Sequence, residues 1–171
     1  MDIYVGKIVN THGIKGEVRI LSDIDYKKDV FKIGNTLYIG KNKTPLIINT
    51  YRVHKNFDMV TFTSINDINE VLKYKGENVY IKKDEIKIDG YFDEELIDLE
   101  VYTDKLIGIV KEIRKGYQDL LVVVGKKEYL IPKIDVFINK IDIEDKKIYI
   151  NSIEGLIDED WYFNFISFYV W

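Results

Sequence analysis

Residues 3–21 read IYVGKIVNTHGIKGEVRIL, and this stretch decides how the chain begins to fold. Branched apolar residues alternate with other residue types on either side of a short gap, a pattern typical of strands that bury one face. The gap contains Gly13 and Gly16, and glycine permits the backbone angles that tight connections need. The stretch therefore predicts two short β-strands joined by a compact connection.

The amino-acid composition indicates the same class of fold for the whole chain. The 171 residues include 28 isoleucines, 15 valines, 7 threonines and 23 aromatic residues, but no alanine. These β-branched and aromatic side chains fit a pleated, half-buried sheet surface, whereas the best helix former is missing. We therefore predict an all-β protein. The chain has no cysteine and therefore no disulfides, but it is long enough to bury a stable core without them.

Turn signals recur about every ten residues, which is typical of small β-barrels. We predict an N-terminal barrel at residues 1–86, a linker at 87–92, a second barrel at 93–158 and an aromatic tail at 159–171. Beyond residue 21, strands are predicted at 37–39, 46–48, 51–53, 59–62, 79–81, 98–102, 106–113, 120–124, 129–131 and 147–150.

Helical spacing of apolar residues is confined to two short segments. The first is 66–74, where Asn66 or Asp67 could cap a helix and Gly76 would end it. The second is a predicted turn of helix at 134–137. Both segments are minor parts of an otherwise strand-rich chain.

Several kinds of site are disfavoured by what the sequence lacks. Its two histidines, His12 and His54, offer little for a zinc site or for histidine-based catalysis. No nucleotide-binding glycine motif and no nucleophile motif is present. We predict no catalytic residues, no metal and no cofactor. The chain start does not resemble a signal peptide and no stretch is long enough to span a bilayer, so we expect a soluble, cytoplasmic protein.

Net charge differs between the two halves of the chain. Residues 1–86 carry 14 basic and 11 acidic side chains, a net charge of +3, whereas residues 87–171 carry 11 basic and 18 acidic side chains, a net charge of −7. Such a difference concerns partners and not the fold. It is equally compatible with chance variation between two solvated surfaces.

The connection at residues 11–16 is the first candidate site. Its glycines leave backbone amides open, and His12, Lys15 and Arg19 add donors and positive charge. Open amides beside cationic side chains suit contact with phosphate. The alternative is a tight strand connection with solvated polar residues.

Tyr91 and Phe92 precede the acidic residues Asp93, Glu94 and Glu95 and form the second candidate site. Exposed rings surrounded by acidic groups would suit a basic protein partner, because the rings can anchor in its surface and the negative charges can steer its approach. Neighbouring residues on a strand point to opposite faces, so the alternative is one ring in a core and one between the barrels.

The tail is a third feature, with seven aromatic residues between Trp161 and Trp171. It could add a strand to the second barrel, cover the seam between the domains or contact another chain. We expect it to pack internally and the protein to be a monomer.

An ordered series of motifs covers residues 3–157. It comprises VGKIV at 5–9, THGIKGEVR at 11–19, RVHK at 52–55, IND at 65–67, GENVYI at 76–81, LIDL at 96–99, GIV at 108–110, GYQDLLVV at 116–123, LIP at 130–132 and EGL at 154–156. In this order the motifs resemble the RimM family of bacterial ribosome maturation factors.

The resemblance implies a translation-factor-like N-terminal barrel followed by a PRC-barrel, without enzymatic activity. Family members bind the immature small ribosomal subunit, contact a ribosomal protein of its head and nearby ribosomal RNA, and support head maturation and rRNA processing. The resemblance implies that Tyr91, Phe92, Asp93 and Glu94 contact this protein, because an aromatic pair at that place is implicated in ribosome association. The family usually has two tyrosines there, so Phe92 is a departure.

The loop residues His12, Gly13, Lys15, Gly16 and Arg19 are then expected to lie close to RNA. Three other functions remain open: a general RNA-binding β-barrel, a small β-barrel enzyme and a self-associating module driven by the tail. The net charge of −4 is unlike that of strong phosphate binders, which favours contact with a protein over the first alternative.

Overall fold

The structure is a computed structural model that describes residues 1–151. The chain divides into two compact units, Met1–Gly90 and a second that begins at Tyr91. Strands dominate both units, which confirms the all-β prediction. The tail at 159–171 lies outside the described residues.

The first unit is a closed, six-stranded antiparallel barrel in the order β1-β2-β5-β4-β3-β6. Pairing of β1 with β6 closes the ring. Alternate residues of the strands point inward, and Ile3, Val5, Ile20 and Ile81 are all fully buried. The strands are β1 Asp2–His12, β2 Glu17–Leu21, β3 Thr36–Ile39, β4 Thr44–His54, β5 Phe57–Phe62 and β6 Asn78–Lys82.

Strand β4 differs from the prediction of two separate strands at 46–48 and 51–53. Its pairing with β5 shifts register between Ile48 and Thr50, where a bulge absorbs the polar residues and the strand continues. The hairpin that joins β4 to β5 turns at Lys55, which has a positive φ of 56°.

Two short helices belong to this unit. The helix α1, Lys27–Val30, has no recognisable periodicity and was not predicted. The helix α2, Ile68–Leu72, is shorter than the predicted 66–74, because the amides of Tyr74 and Lys75 bond to carbonyls three residues back and tighten the chain into turns. Asp67 caps α2 by accepting a 2.7 Å hydrogen bond from the Asn69 amide, as predicted.

The second unit contains a six-stranded sheet in the order β10-β9-β8-β7-β12-β11. Neighbouring strands are antiparallel except β7 and β12, which are parallel. Within the described part of the unit, β10 and β11 are the sheet edges. The strands are β7 Glu100–Tyr102, β8 Leu106–Arg114, β9 Leu120–Gly125, β10 Glu128–Pro132, β11 Ile138–Asp142 and β12 Lys147–Ile150.

One apolar core holds this sheet together. Its buried members are Leu96, Leu99, Val101, Val110, Leu121, Val123, Ile131, Phe137, Ile148 and Ile150. The predicted turn of helix at 134–137 is a single hydrogen-bonded turn, in which the amides of Phe137 and Ile138 both donate to the carbonyl oxygen of Ile134. Strand β11 was not predicted, because its two isoleucines, Ile138 and Ile141, are three residues apart and do not give the alternating apolar pattern of a strand. Two 3₁₀ turns, Lys83–Glu85 and Asp93–Leu96, complete the described elements.

No helix within residues 1–151 has the length and apolar character needed to cross a membrane.

Candidate functional site

The glycine-containing connection between β1 and β2 is built against the start of α2. Gly13 and Gly16 have positive φ angles of 69° and 76°. A Cβ atom at Gly16 would lie 2.9 Å from the carbonyl oxygen of Asp67, so only glycine fits there. The Ile68 amide also donates a 3.0 Å hydrogen bond to the carbonyl of Ile14. These contacts fix the connection relative to the barrel.

Two of the predicted polar residues of this connection, His12 and Arg19, lie together. The Nη2 atom of Arg19 is 3.0 Å from Nδ1 of His12, and the Arg19 guanidinium carbon is 5.9 Å from the centre of the Phe57 ring. Because guanidinium only donates, Nδ1 of His12 accepts in this contact. The Arg19 Nε atom is buried and has no hydrogen-bond partner within residues 1–151. Arg19 is thus held by its neighbours at the edge of the exposed loop.

Lys15 differs from these two residues because it projects freely. Its side chain is exposed and forms no ion pair with a carboxylate in the described part of the chain. Together His12, Lys15 and Arg19 form a small positively charged surface with open backbone at Gly13.

The positive charge of Arg52 is neutralised by the neighbouring carboxylate of Glu17. Its Nε and Nη2 atoms donate to the two carboxylate oxygens of Glu17 at 2.8 and 2.6 Å. This bidentate hydrogen bonding raises the pKa of Arg52. His54 and Lys55 lie on the exposed hairpin tip beyond it.

The second candidate site begins the second unit, and its two rings have different environments. Phe92 is 1% exposed, whereas Tyr91 is half-buried and packs against the apolar core of the unit. The carboxylate of Glu95 accepts a 2.7 Å hydrogen bond from the Phe92 amide and fixes the backbone. Of the two rings, only Tyr91 has a partly accessible surface.

Asp93 is engaged by lysines from two other segments. Its carboxylate forms ion pairs with Lys115, which follows β8, and with Lys133, which follows β10. Lys115 also lies 3.0 Å from Asp119. Burial acts to raise the pKa of Asp93, but the hydrogen bonds from the two lysines outweigh it, and the pKa is lowered. Asp93 therefore fastens three segments together and offers little free negative charge.

Two family models match successive parts of the chain. Residues 3–86 match the RimM N-terminal domain, and residues 93–156 match the RimM PRC barrel domain. The chain belongs to the RimM family.

Curated RimM relatives match along nearly their whole length. Ribosome maturation factor RimM of Bacillus subtilis (strain 168) is 44% identical over 168 residues, covering 91% of this chain and 96% of the relative. The protein of the same name from Staphylococcus epidermidis (strain RP62A) is 39% identical over 167 residues, covering 92% of this chain and all of the relative. A crystal structure described as a 16S ribosomal RNA processing protein RimM, from Pseudomonas aeruginosa, shares 20% identity and covers 90% of this chain and 99% of its own, with a TM-score of 0.46.

One feature of this RimM chain was missed by reasoning from the sequence. Tyr117, at the tip of the β8–β9 hairpin, is fully exposed. It lies two residues from both Lys115 and Asp119, so the ion pairs with Asp93 hold its hairpin in place. The motif GYQD marked a turn, but nothing in it distinguished an exposed ring from a packed one.

Within the described residues of this RimM chain, no group of three or more histidine, cysteine, aspartate or glutamate side chains could hold a metal ion.

Proposed function

We propose that the chain is a ribosome maturation factor that binds the immature small ribosomal subunit and supports maturation of its head and processing of its RNA. The observation that carries this proposal is the match to both RimM domains, in order, over residues 3–86 and 93–156. Relatives that share about 40% of their residues over almost their full length bear the name ribosome maturation factor.

The proposed action is binding, without catalysis, cofactor or metal. A bound protein shifts a conformational equilibrium only by its differential affinity for the two states. The chain would therefore bind the immature subunit more tightly than the finished one, hold one arrangement of the head and leave when that arrangement no longer fits. Such work suits a cytoplasmic monomer with two rigid binding surfaces.

The protein-binding surface is proposed at the start of the second unit. Tyr91 supplies a partly accessible ring, Phe92 next to it in sequence is buried, and Glu94 supplies negative charge at the half-buried 3₁₀ turn. Asp93 contributes by fixing the segment through Lys115 and Lys133. The partner is proposed to be a basic ribosomal protein of the subunit head, which an acidic unit would attract.

The RNA-facing surface is proposed at the β1–β2 connection. His12, Lys15 and Arg19 supply donors and positive charge, Gly13 leaves the backbone open, and Gly16 packs the connection against the start of α2. Phosphate contacts of this kind position a protein without reading sequence. The rigid seating of the loop on α2 supports this role, because a preorganised donor set loses less entropy on binding.

The alternative is a general RNA-binding barrel without preference for an assembly intermediate. Co-sedimentation of the full chain with purified immature and finished small subunits separates the two. We expect retention with the immature subunit and markedly weaker retention with the finished one. Equal retention by both, with a steep salt dependence, would support the alternative and reject the maturation role.

A further inference from the structure

Three tyrosines form a continuous row on the outside of the first barrel. Tyr4 on β1 is paired with Tyr80 on β6, and Tyr80 is paired with Tyr38 on β3. The residues that flank them along each strand are buried, so all three side chains point outward. Since neighbouring strands lie about 5 Å apart, the row extends across roughly 10 Å of sheet.

The three rings are partly accessible to solvent, and two of them are in contact. Tyr4 is 42% exposed, and Tyr38 and Tyr80 are half-buried. The Tyr4 and Tyr80 rings meet edge to face, with centroids 5.8 Å apart and planes at 70°. This is a favoured geometry for an aromatic pair, and it leaves ring surface open to solvent.

Lysine ammonium groups lie over two of the three rings. Lys43 Nζ is 2.7 Å from the centre of the Tyr80 ring, and Lys82 Nζ is 4.6 Å from that of Tyr38. Within residues 1–151, Lys43 pairs with the exposed carboxylate of Asp2 at 3.3 Å and Lys82 with that of Glu85 at 3.8 Å. The Glu85 carboxylate also accepts hydrogen bonds from the Tyr38 hydroxyl at 2.7 and 2.9 Å. Ion pairs of this type are weak in water, so an incoming phosphate can replace the carboxylates.

We propose that this row is a binding surface for unpaired RNA. Aromatic side chains on adjacent strands give bases a stacking platform, and lysines beside them track the phosphates. The barrel that carries the row has 15 basic and 12 acidic side chains over residues 1–90, a balance that tolerates a polyanion. The inference deepens the proposed function by adding a second RNA contact, eight residues before His12 on β1 and roughly 25 Å away along an extended strand.

A related tyrosine pair in the second unit supplies the matched control. Tyr102 and Tyr149 are paired on β7 and β12, their ring centroids are 5.9 Å apart, and Lys147 lies 5.7 Å from the Tyr102 ring. Within residues 91–151 the strand partners on either side of this pair, Leu106 and Lys140, carry no ring, and this part of the unit has 10 basic and 13 acidic side chains. It shares the local chemistry of the row without its length or its favourable charge.

The test is fluorescence anisotropy of the full chain with a fluorescein-labelled single-stranded RNA of twelve nucleotides. Tyr4→Leu removes the most exposed ring, and we expect binding about tenfold weaker, with a larger loss in Tyr4→Leu/Tyr80→Leu. Tyr4→Phe keeps the ring and should bind as the parent does. Tyr102→Leu/Tyr149→Leu should also leave the affinity unchanged. Thermal unfolding of each variant checks that the fold is retained.

Several results would overturn the inference. The parent could fail to bind the oligonucleotide, Tyr4→Leu could bind as tightly as the parent, or a duplex of the same length could bind with the same dependence on Tyr4. Loss of a dimer in Tyr4→Leu by sedimentation velocity, with unchanged RNA affinity, would instead assign the row to self-association. A parent that binds the oligonucleotide but ignores immature subunits would contradict only the proposed function.

Discussion

The hydroxyl of Tyr51 donates a 2.8 Å hydrogen bond to Oδ1 of Asp58, a carboxylate that is only 1% exposed. Lys27, at the start of α1, lies 2.7 Å from the other carboxylate oxygen. Burial, reinforced by the hydrogen bond to Asp58, raises the pKa of Tyr51 above its usual range. The Tyr51 ring also stacks on Phe31, which follows α1. Asp58 thus joins α1 to β4 and β5.

Replacing Asp58 with alanine should therefore destabilise the first unit. The change leaves the Tyr51 hydroxyl without its acceptor and Lys27 with only the Ser22 carbonyl oxygen, 2.7 Å away. We expect a loss of about 2–3 kcal/mol, less than for a fully buried pair because Lys27 is partly exposed. This loss is measured as the free energy of unfolding in urea, followed by hydrogen exchange of peptides from β5. Asp25→Ala removes an exposed carboxylate nearby and should have little effect. Equal stability of the two variants would contradict a structural role for the buried pair.

Gly16 and Gly13 provide a matched pair for testing the contact between the connection and α2. Both have positive φ, but a Cβ atom at Gly16 meets the Asp67 carbonyl, whereas at Gly13 nothing lies within 4 Å. Gly13→Ala should lose about 1 kcal/mol of unfolding free energy from backbone strain alone, and Gly16→Ala about 2 kcal/mol or more. Urea denaturation compares them. If Gly13→Ala is less stable than Gly16→Ala, the close contact between Gly16 and the start of α2 does not explain why glycine is needed at position 16.

Local sequence patterns predicted the strands but not the contacts between distant segments. The alternation of apolar residues identified most strands, and the cap of α2 was narrowed to Asn66 or Asp67, because these signals lie within a few neighbouring residues. The partners of Asp93 come from positions 115 and 133, so no spacing in the sequence indicates them. The row through Tyr4 and Tyr80 likewise depends on strand register, which the sequence does not specify by itself.

The second unit should lose stability in acid partly through Asp93. Because the pKa of Asp93 in the folded state lies below its ordinary value of 3.8, its ion pairs contribute fully above pH 3.8 and less as pH falls below it. Asp93→Asn should therefore be less stable than the parent at pH 6, and the difference should shrink between pH 4 and pH 2. Calorimetric unfolding across this range measures the change.

The control for that experiment is Asp135→Asn, in the exposed turn after β10. It lies outside the ion pairs and should follow the parent at every pH. A difference between Asp93→Asn and the parent that stays constant from pH 6 to pH 2 would contradict the assignment to the lysine ion pairs.

Tyr91 and Phe92 should respond differently to truncation. Phe92 is buried, so Phe92→Ala should lose about 3–5 kcal/mol of stability, and its effect on binding cannot be separated from unfolding. Tyr91→Ala should preserve most of the stability and weaken association with immature subunits. Phe92→Leu, which refills much of the space, should associate nearly as the parent does. Unchanged co-sedimentation of Tyr91→Ala would remove Tyr91 from the protein-binding surface.

If the β1–β2 connection binds RNA phosphates, the affinity of the chain for single-stranded RNA should depend on salt concentration through this connection. Each lost contact with a single strand lowers the slope of log affinity against log salt by about 0.7, so Lys15→Met should flatten it by that amount. Arg19→Met should flatten it further and also destabilise the loop, because Arg19 bonds to His12 and packs on Phe57. Lys126→Met, in the exposed β9–β10 turn, is the matched control and should leave the slope unchanged. A slope that responds equally to all three variants would mean that charge acts over the whole surface, and that the connection has no special role.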